Sequence, residues 1–234
     1  MRYDRFARFL NQAGFDVVGY DQWGHGRSEG TRAYVPNFDT YLDDLDLLLS
    51  NIRSEVPLFL FGHSMGGLVA VKYCIKKDSS RIDGLITSGA ALKLADDVSP
   101  ILLWLAPILS RLFPKLPTQS LVKKYLSRSQ EVVKKYVEDP LIYQGGIKAR
   151  LAYEMITSIQ YVQRGFEQIS LPLLALHGAD DRIVLPGGTE DLFKKCSSND
   201  KSLQLYDGLY HEILNEPEAE NVMADIKRWL SDRV

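Results

Sequence analysis

Pro57-Leu58-Phe59-Leu60-Phe61-Gly62-His63-Ser64-Met65-Gly66-Gly67-Leu68 is the stretch that decides how this chain folds. Residues 57–61 are apolar without alternation, the mark of a parallel strand covered on both faces. From Leu68 to Lys77 the pattern is helical. Between them stands Gly-x-Ser-x-Gly, a spacing that arises by chance and gains meaning only in a strand–turn–helix context, which it has here. A serine on such a turn is held in a strained backbone conformation. Side chains two residues to either side would crowd it, so Gly62 and Gly66 are both expected for lack of one. The helix beginning near Met65 aims its first N–H groups and its positive dipole end at the serine oxygen. A Gly-rich turn without chemistry is the plain alternative, but strand, glycines and helix in register favour a nucleophile.

A serine hydroxyl is a poor nucleophile at neutral pH and needs a base. The chain has four histidines, at 25, 63, 177 and 211. In strand–serine–helix enzymes the chain order is Ser, acid, His. His25 precedes the serine. His63 belongs to the turn itself, with its ring expected to point elsewhere. His177 ends an apolar run with the acids after it. His211 comes late, in Gly208-Leu209-Tyr210-His211-Glu212, and is the expected base. His177-Gly178-Ala179-Asp180-Asp181-Arg182 supplies two candidate acids, and residue types alone do not choose between them. The acid accepts Nδ1–H of the base and stabilises its imidazolium.

Outward from this stretch, short apolar runs alternate with helical patterns. Phe15–Tyr20, Pro57–Gly62, Ile82–Ser88, Leu171–His177 and Lys201–Tyr206 read as strands. Residues 6–13, 41–52, 68–77, 188–196 and 219–231 read as helices. Alternation of this kind means a parallel sheet with helices on both faces, an α/β fold. Between Leu92 and Gly165 the rhythm changes to helical patterns and prolines. The expected organisation is a core built from 1–91 and 166–234, interrupted by a helical cap over 92–165. Ile101–Leu109 is apolar nearly all round, so it either packs on the core or faces lipid.

Composition narrows the class. At 234 residues the chain can bury a single sizeable core, and 45% hydrophobic with 25% charged is ordinary for a globular protein. A net charge of −2 argues against nucleic-acid partners. Cys74 and Cys196 do not make a disulfide framework and are expected to be reduced structural thiols in a cytoplasmic protein. Met1 to Phe6 has no apolar segment of a secretory signal, and no run approaches the roughly 18 residues of a membrane span.

With these pieces assembled, the chain resembles monoacylglycerol lipases and the related lysophospholipases, serine hydrolases of the α/β-hydrolase fold. The resemblance rests on Gly62-His63-Ser64-Met65-Gly66-Gly67, on Asp21-Gln22-Trp23-Gly24-His25-Gly26-Arg27-Ser28-Glu29-Gly30, on Asp139-Pro140-Leu141, and on Asp181-Arg182 and Tyr210-His211. It implies that Asp181 is the acid, that the Met65 N–H is one oxyanion donor, and that Arg2 and His63 lie in the polar, substrate-binding pocket. It implies hydrolysis of monoacylglycerol to fatty acid and glycerol through an acyl-enzyme, without a metal or other cofactor, with a lipid ester as partner and transient membrane contact through the cap. A lysophospholipase or carboxylesterase is the alternative. In that family three strands and an oxyanion loop precede the helix that starts near Arg2-Tyr3. The chain is therefore expected to lack the first strands and the second oxyanion donor, to leave a gap in its sheet, and to be weakly active. From a different class, a truncated non-catalytic form that binds lipid or a partner is the rival.

Overall fold

The computed structural model describes residues 2–52, 55–94 and 100–234. Helix α1 (Asp4–Gln12) and helix α2 (Asp39–Ser50) come first, then strand β1 (Phe59–His63), helix α3 (Met65–Lys76) and strand β2 (Gly84–Ser88). Three further α-helices follow: α4 (Pro100–Leu112), α5 (Gln130–Glu138) and α6 (Ala149–Gly165). The chain then returns through β3 (Leu173–Gly178), α7 (Gly187–Lys195), β4 (Lys201–Tyr206) and α8 (Ala219–Ser231).

The four strands are all parallel and lie in the order β1-β2-β3-β4. Strand alternation splits the core in two. Leu85, Leu173 and Ala175 face α2, α3 and α7, whereas Ile86, Leu174 and Leu176 face α1 and α8. Both faces of the inner sheet are therefore apolar, which is why β3 reads as a nearly unbroken hydrophobic run, whereas the edge strand β4 alternates. Residue pairs His63↔Ser88, Ser88↔Leu176 and Gly178↔Tyr206 bring the carboxyl ends of the strands to one edge. That edge is where ligands bind in open parallel sheets.

One expectation about the strands needs correction. Phe15–Tyr20 is not a strand: its backbone is irregular and Val17, Val18 and Tyr20 are exposed. A short apolar run becomes a strand only when a neighbour accepts its ladder bonds, and among the described residues none pairs with it. The run is tethered at its start, where the Phe15 N–H donates to Leu10 O and the Asn11 amide donates to Phe15 O. The expected gap falls at this place: among the described residues the sheet runs from β1 to β4, and Phe15–Tyr20 lies outside it without a strand partner, exposed from Asp16 onward.

Helices α4 to α6 all lie between β2 and β3 in the chain. Helix α6 packs against α3 and against α4. Lys72 of α3, almost fully buried, donates to the Ser158 hydroxyl of α6 at 3.0 Å and lies 3.0 Å from the Asp39 carboxylate. Residues 95–99, on the way from β2 into α4, lie outside the described residues. Helix α4 leaves Ile101 and Trp104 each 70% exposed, with Ile108 and Leu112 also outside, so one side of it is apolar and bare. Among the described residues no helix is long and apolar enough to cross a membrane. Cys74 and Cys196 are buried and unbridged.

Candidate active site

Ser64 sits between β1 and α3 at φ +53° and ψ −120°, a left-handed conformation that an L residue rarely adopts. Such strain costs about 1–3 kcal/mol and persists only where the surroundings over-determine it. Here they do. The Ser64 N–H donates to Ser88 O at 3.0 Å, and its carbonyl accepts from Gly67 N, Leu68 N and Ala91 N at 3.0–3.2 Å. The Met65 N–H is among the first-turn donors of α3 that helix geometry leaves without an intrahelical partner.

The glycines around the serine divide differently from the expectation. A Cβ on Gly62 would stand 2.4 Å from Gly66 O, so the close approach of strand to helix demands glycine there. A Cβ on Gly66 would meet nothing within 4 Å. The crowded glycine of the helix is Gly67, where a Cβ would lie 2.5 Å from the Ala90 side chain. Crowding thus explains Gly62 and Gly67, not Gly66.

Asp181 and His211 come together although 30 residues separate them. His211 Nδ1 is 2.7 Å from Asp181 Oδ2, and both side chains are buried. Asp180 is exposed, and its N–H donates to Leu209 O. The other oxygen of Asp181, Oδ1, accepts from Ile183 N at 2.8 Å and Val184 N at 3.0 Å. Burial would push the Asp181 carboxyl upward, but N–H donation from His177 and His211, the positive charge available on His211 and the Val184 N–H hold it well below the usual carboxylate range. Asp181 is therefore an anion at any working pH.

The loop carrying His211 is fixed by close approach and by a buried carboxylate. A Cβ on Gly178 would collide with Tyr210 O at 2.2 Å, so only glycine lets β3 end against this loop. Glu216, fully buried, accepts from Tyr210 N at 2.9 Å and from Arg128 N and Nε at 3.2–3.3 Å. Sequence reasoning passed over Glu216, because a glutamate beside a proline reads as a surface turn.

Ser64 and His211 are both placed beside the end of β2. The Ser64 N–H bonds to Ser88 O, and the Gly89 Cα lies against the His211 ring, since a Cβ there would be 3.3 Å from Nδ1. Among the described residues the Ser64 hydroxyl makes no hydrogen bond to His211. In enzymes without substrate this contact is often long and tightens on binding.

His63 lies nearer to the base than expected. Its ring packs on His211 with centroids 4.7 Å apart, and its Nδ1 is 3.2 Å from the Ser88 hydroxyl. Burial, then the charges of His211 and Arg2, hold His63 well below the ordinary histidine range, so it is neutral. Its Nε2 is 3.5 Å from Glu212, which also pairs with Arg2. The Arg2 guanidinium stacks 4.7 Å over the Tyr136 ring of α5. Among the described residues no group of three or more His, Cys, Asp or Glu side chains is placed to hold a metal ion.

The sequence profile of the serine aminopeptidase S33 family (Hydrolase_4) matches residues 1–218. The chain belongs to the S33 family. Within it, this S33 chain is 33% identical over 232 residues to a monoacylglycerol lipase of Mycolicibacterium smegmatis, covering 98% of this chain and 82% of that one. It is 31% identical to the monoglyceride lipase of Rattus norvegicus, covering 78% of that protein. Its fold superposes on the crystal structure of Paleococcus ferrophilus monoacylglycerol lipase with a TM-score of 0.91 and 32% identity, over 100% of this chain and 90% of that one. The S33 chain therefore has the α/β-hydrolase fold, with a parallel sheet and helices on both faces.

Proposed function

We propose that this chain is a serine ester hydrolase that cleaves monoacylglycerol to fatty acid and glycerol. Ser64 is the nucleophile, His211 the base, Asp181 its anionic support and the Met65 N–H an oxyanion donor. The observation that carries the reading is the buried Asp181–His211 pair at 2.7 Å, beside a serine held at φ +53° at the carboxyl edge of the sheet. Relatives named as monoacylglycerol lipases support the substrate.

In the proposed reaction Ser64 Oγ attacks the ester carbonyl and passes its proton to His211 Nε2. The imidazolium rests on Asp181, and the tetrahedral oxyanion on the Met65 N–H. The C–O bond to glycerol breaks as the leaving oxygen takes the proton from His211. Water, losing a proton to His211, then attacks the acyl carbon; the bond to Ser64 Oγ breaks as Oγ takes that proton back from His211, releasing the fatty acid. Only water is consumed, so no cofactor enters.

In the same proposal residues 1–91 and 166–234 form the catalytic core, and 92–165 form a cap over it. Arg2 and His63, beside His211, make the polar end of the pocket for the glycerol group. The exposed apolar side of α4, with Ile101 and Trp104, rests on a lipid surface where the substrate lies. Two buried, unbridged cysteines suit a cytoplasmic protein that works at the periphery of a membrane.

Labelling with a fluorophosphonate and hydrolysis of monoolein test the core of this reading. Ser64→Ala is expected to abolish both, while the wild-type chain cleaves monoolein faster than lysophosphatidylcholine. Labelling that survives in Ser64→Ala overturns the nucleophile, and a preference for lysophosphatidylcholine overturns the head group.

A further inference from the structure

Asp181 has a second imidazole against it. His177, the fifth residue of β3 and wholly buried, points its Nε2 at Asp181 Oδ2 at 3.1 Å, the same oxygen that faces His211 Nδ1. His177 Nε2 also lies 2.9 Å from Val184 O. Both neighbours of this nitrogen are acceptors, so it carries the hydrogen. On the opposite side of the ring, Nδ1 meets the buried Thr189 hydroxyl of α7 at 2.7 Å. With the hydrogen on Nε2, Nδ1 is placed to accept the Thr189 O–H, so the two partners together orient the ring.

We infer that His177 is a positioning residue for the acid, its Nε2–H holding the Asp181 carboxylate so that Oδ2 faces His211. The inference rests on the proposed roles of Ser64, Asp181 and His211. Without His177, the carboxylate keeps Ile183 N–H and Val184 N–H on Oδ1, and His211 alone on Oδ2. Two effects follow. The carboxylate loses a constraint on its rotation, so the imidazole is aligned less of the time. Its negative charge is also shared with one donor fewer, so more of it bears on His211, and the imidazolium gains stability relative to the free base. A base that is protonated up to a higher pH loses activity first in acid. The other charged or titratable groups around His211 are His63 from the end of β1, Glu212 in its own loop and Arg2 paired to Glu212. None of them contacts His177 in the structure, so their effect on His211 is common to wild type and variant.

The test is the pH profile of kcat/KM for monoolein in the full chain, for wild type, His177→Phe, His177→Gln, Thr189→Val and Asp181→Asn. His177→Phe removes the donor and is expected to lower kcat about 10- to 100-fold with KM little changed, the range met when an outer hydrogen-bond partner of a functional ligand is lost. Its acid limb is expected to move to higher pH. His177→Gln keeps an N–H at about the position of Nε2, and is expected to restore both the rate and the limb to near wild type. Thr189→Val frees Nδ1 and is expected to shift the limb the same way by less. If His177→Phe fails to fold, the Gln and Val variants decide. A folded His177→Gln variant that stays about 10-fold or more below wild type, or a Thr189→Val profile superimposable on wild type, overturns the inference. Asp181→Asn separates the two readings: a large loss there with an unmoved limb in the His177 variants sinks only the positioning role, whereas wild-type activity in Asp181→Asn sinks the proposed triad.

Discussion

Adding one methyl group at Gly62 and one at Gly66 should have opposite consequences, although the two glycines flank the same serine symmetrically in sequence. At Gly62 the new Cβ would stand 2.4 Å from Gly66 O, 2.7 Å from Gly66 C and 2.8 Å from Gly67 Cα, all of them backbone atoms. Ordinary contact begins at 3.4 Å, so the first turn of α3 must retreat by about 1 Å. That turn carries the Met65 N–H and the anchors of the strained Ser64 backbone. Overpacking of this kind costs about 1–3 kcal/mol, and a 1 Å misplacement of reacting groups costs about 10²-fold in rate. At Gly66 the Cβ would meet nothing within 4 Å, and the residue is helical. Alanine there reduces the freedom of the unfolded chain and should stabilise by roughly 0.5–1 kcal/mol, which is about 1–4 °C in Tm for a chain of this size. Thermal unfolding and the rate of fluorophosphonate labelling at Ser64 read both effects. Gly62→Ala is expected to lose several degrees and about 10²-fold in labelling rate, and Gly66→Ala to gain slightly in Tm and keep its labelling. Wild-type labelling in Gly62→Ala, or equal destabilisation by the two variants, would show that the close approach at 62 is not what shapes the turn.

Two further outcomes follow from burial and exposure. His63 stays neutral in the fold, whereas the unfolded chain takes up its proton near pH 6.5. Stability should therefore fall as pH drops below that value, by up to about 1.4 kcal/mol per unit. Denaturant unfolding of His63→Gln between pH 6.5 and 5 should show a slope shallower by about one proton, and a slope equal to wild type refutes the buried neutral state. On α4, Trp104→Glu removes an apolar side chain that is 70% exposed, and cosedimentation with phosphatidylcholine vesicles should weaken about 10-fold while labelling in solution is unchanged. Undiminished vesicle binding would mean that this side of α4 does not meet lipid.

Much of the fold was legible because its signals are local. The expected strands at 57–62, 82–88, 171–177 and 201–206 lie within two residues of β1 to β4 at both ends, since apolar runs bounded by turn residues need no knowledge of partners. Phe15–Tyr20 carries the same local signal and is no strand, because a strand also requires a neighbour to bond with. Gly66 misled for a related reason. Its place in Gly-x-Ser-x-Gly suggested crowding, but what approaches a residue across a turn is set by the path of the chain, which puts Ala90 against Gly67 instead.

The sequence by itself determined that a serine stands between strand and helix, that acids and a late histidine follow in the order such chemistry uses, and that helices alternate with parallel strands. These are properties of residue type, periodicity and order along the chain. The family resemblance in the sequence already pointed to Asp181 rather than Asp180 as the acid. Only the tertiary structure decided that His177 shares the carboxylate oxygen that faces His211, and that His63 lies against the base. Each of these depends on side chains meeting within about 3 to 5 Å across the end of the sheet after separations of up to 148 residues, and pairing at that range follows from the packing of whole elements, which no local pattern encodes.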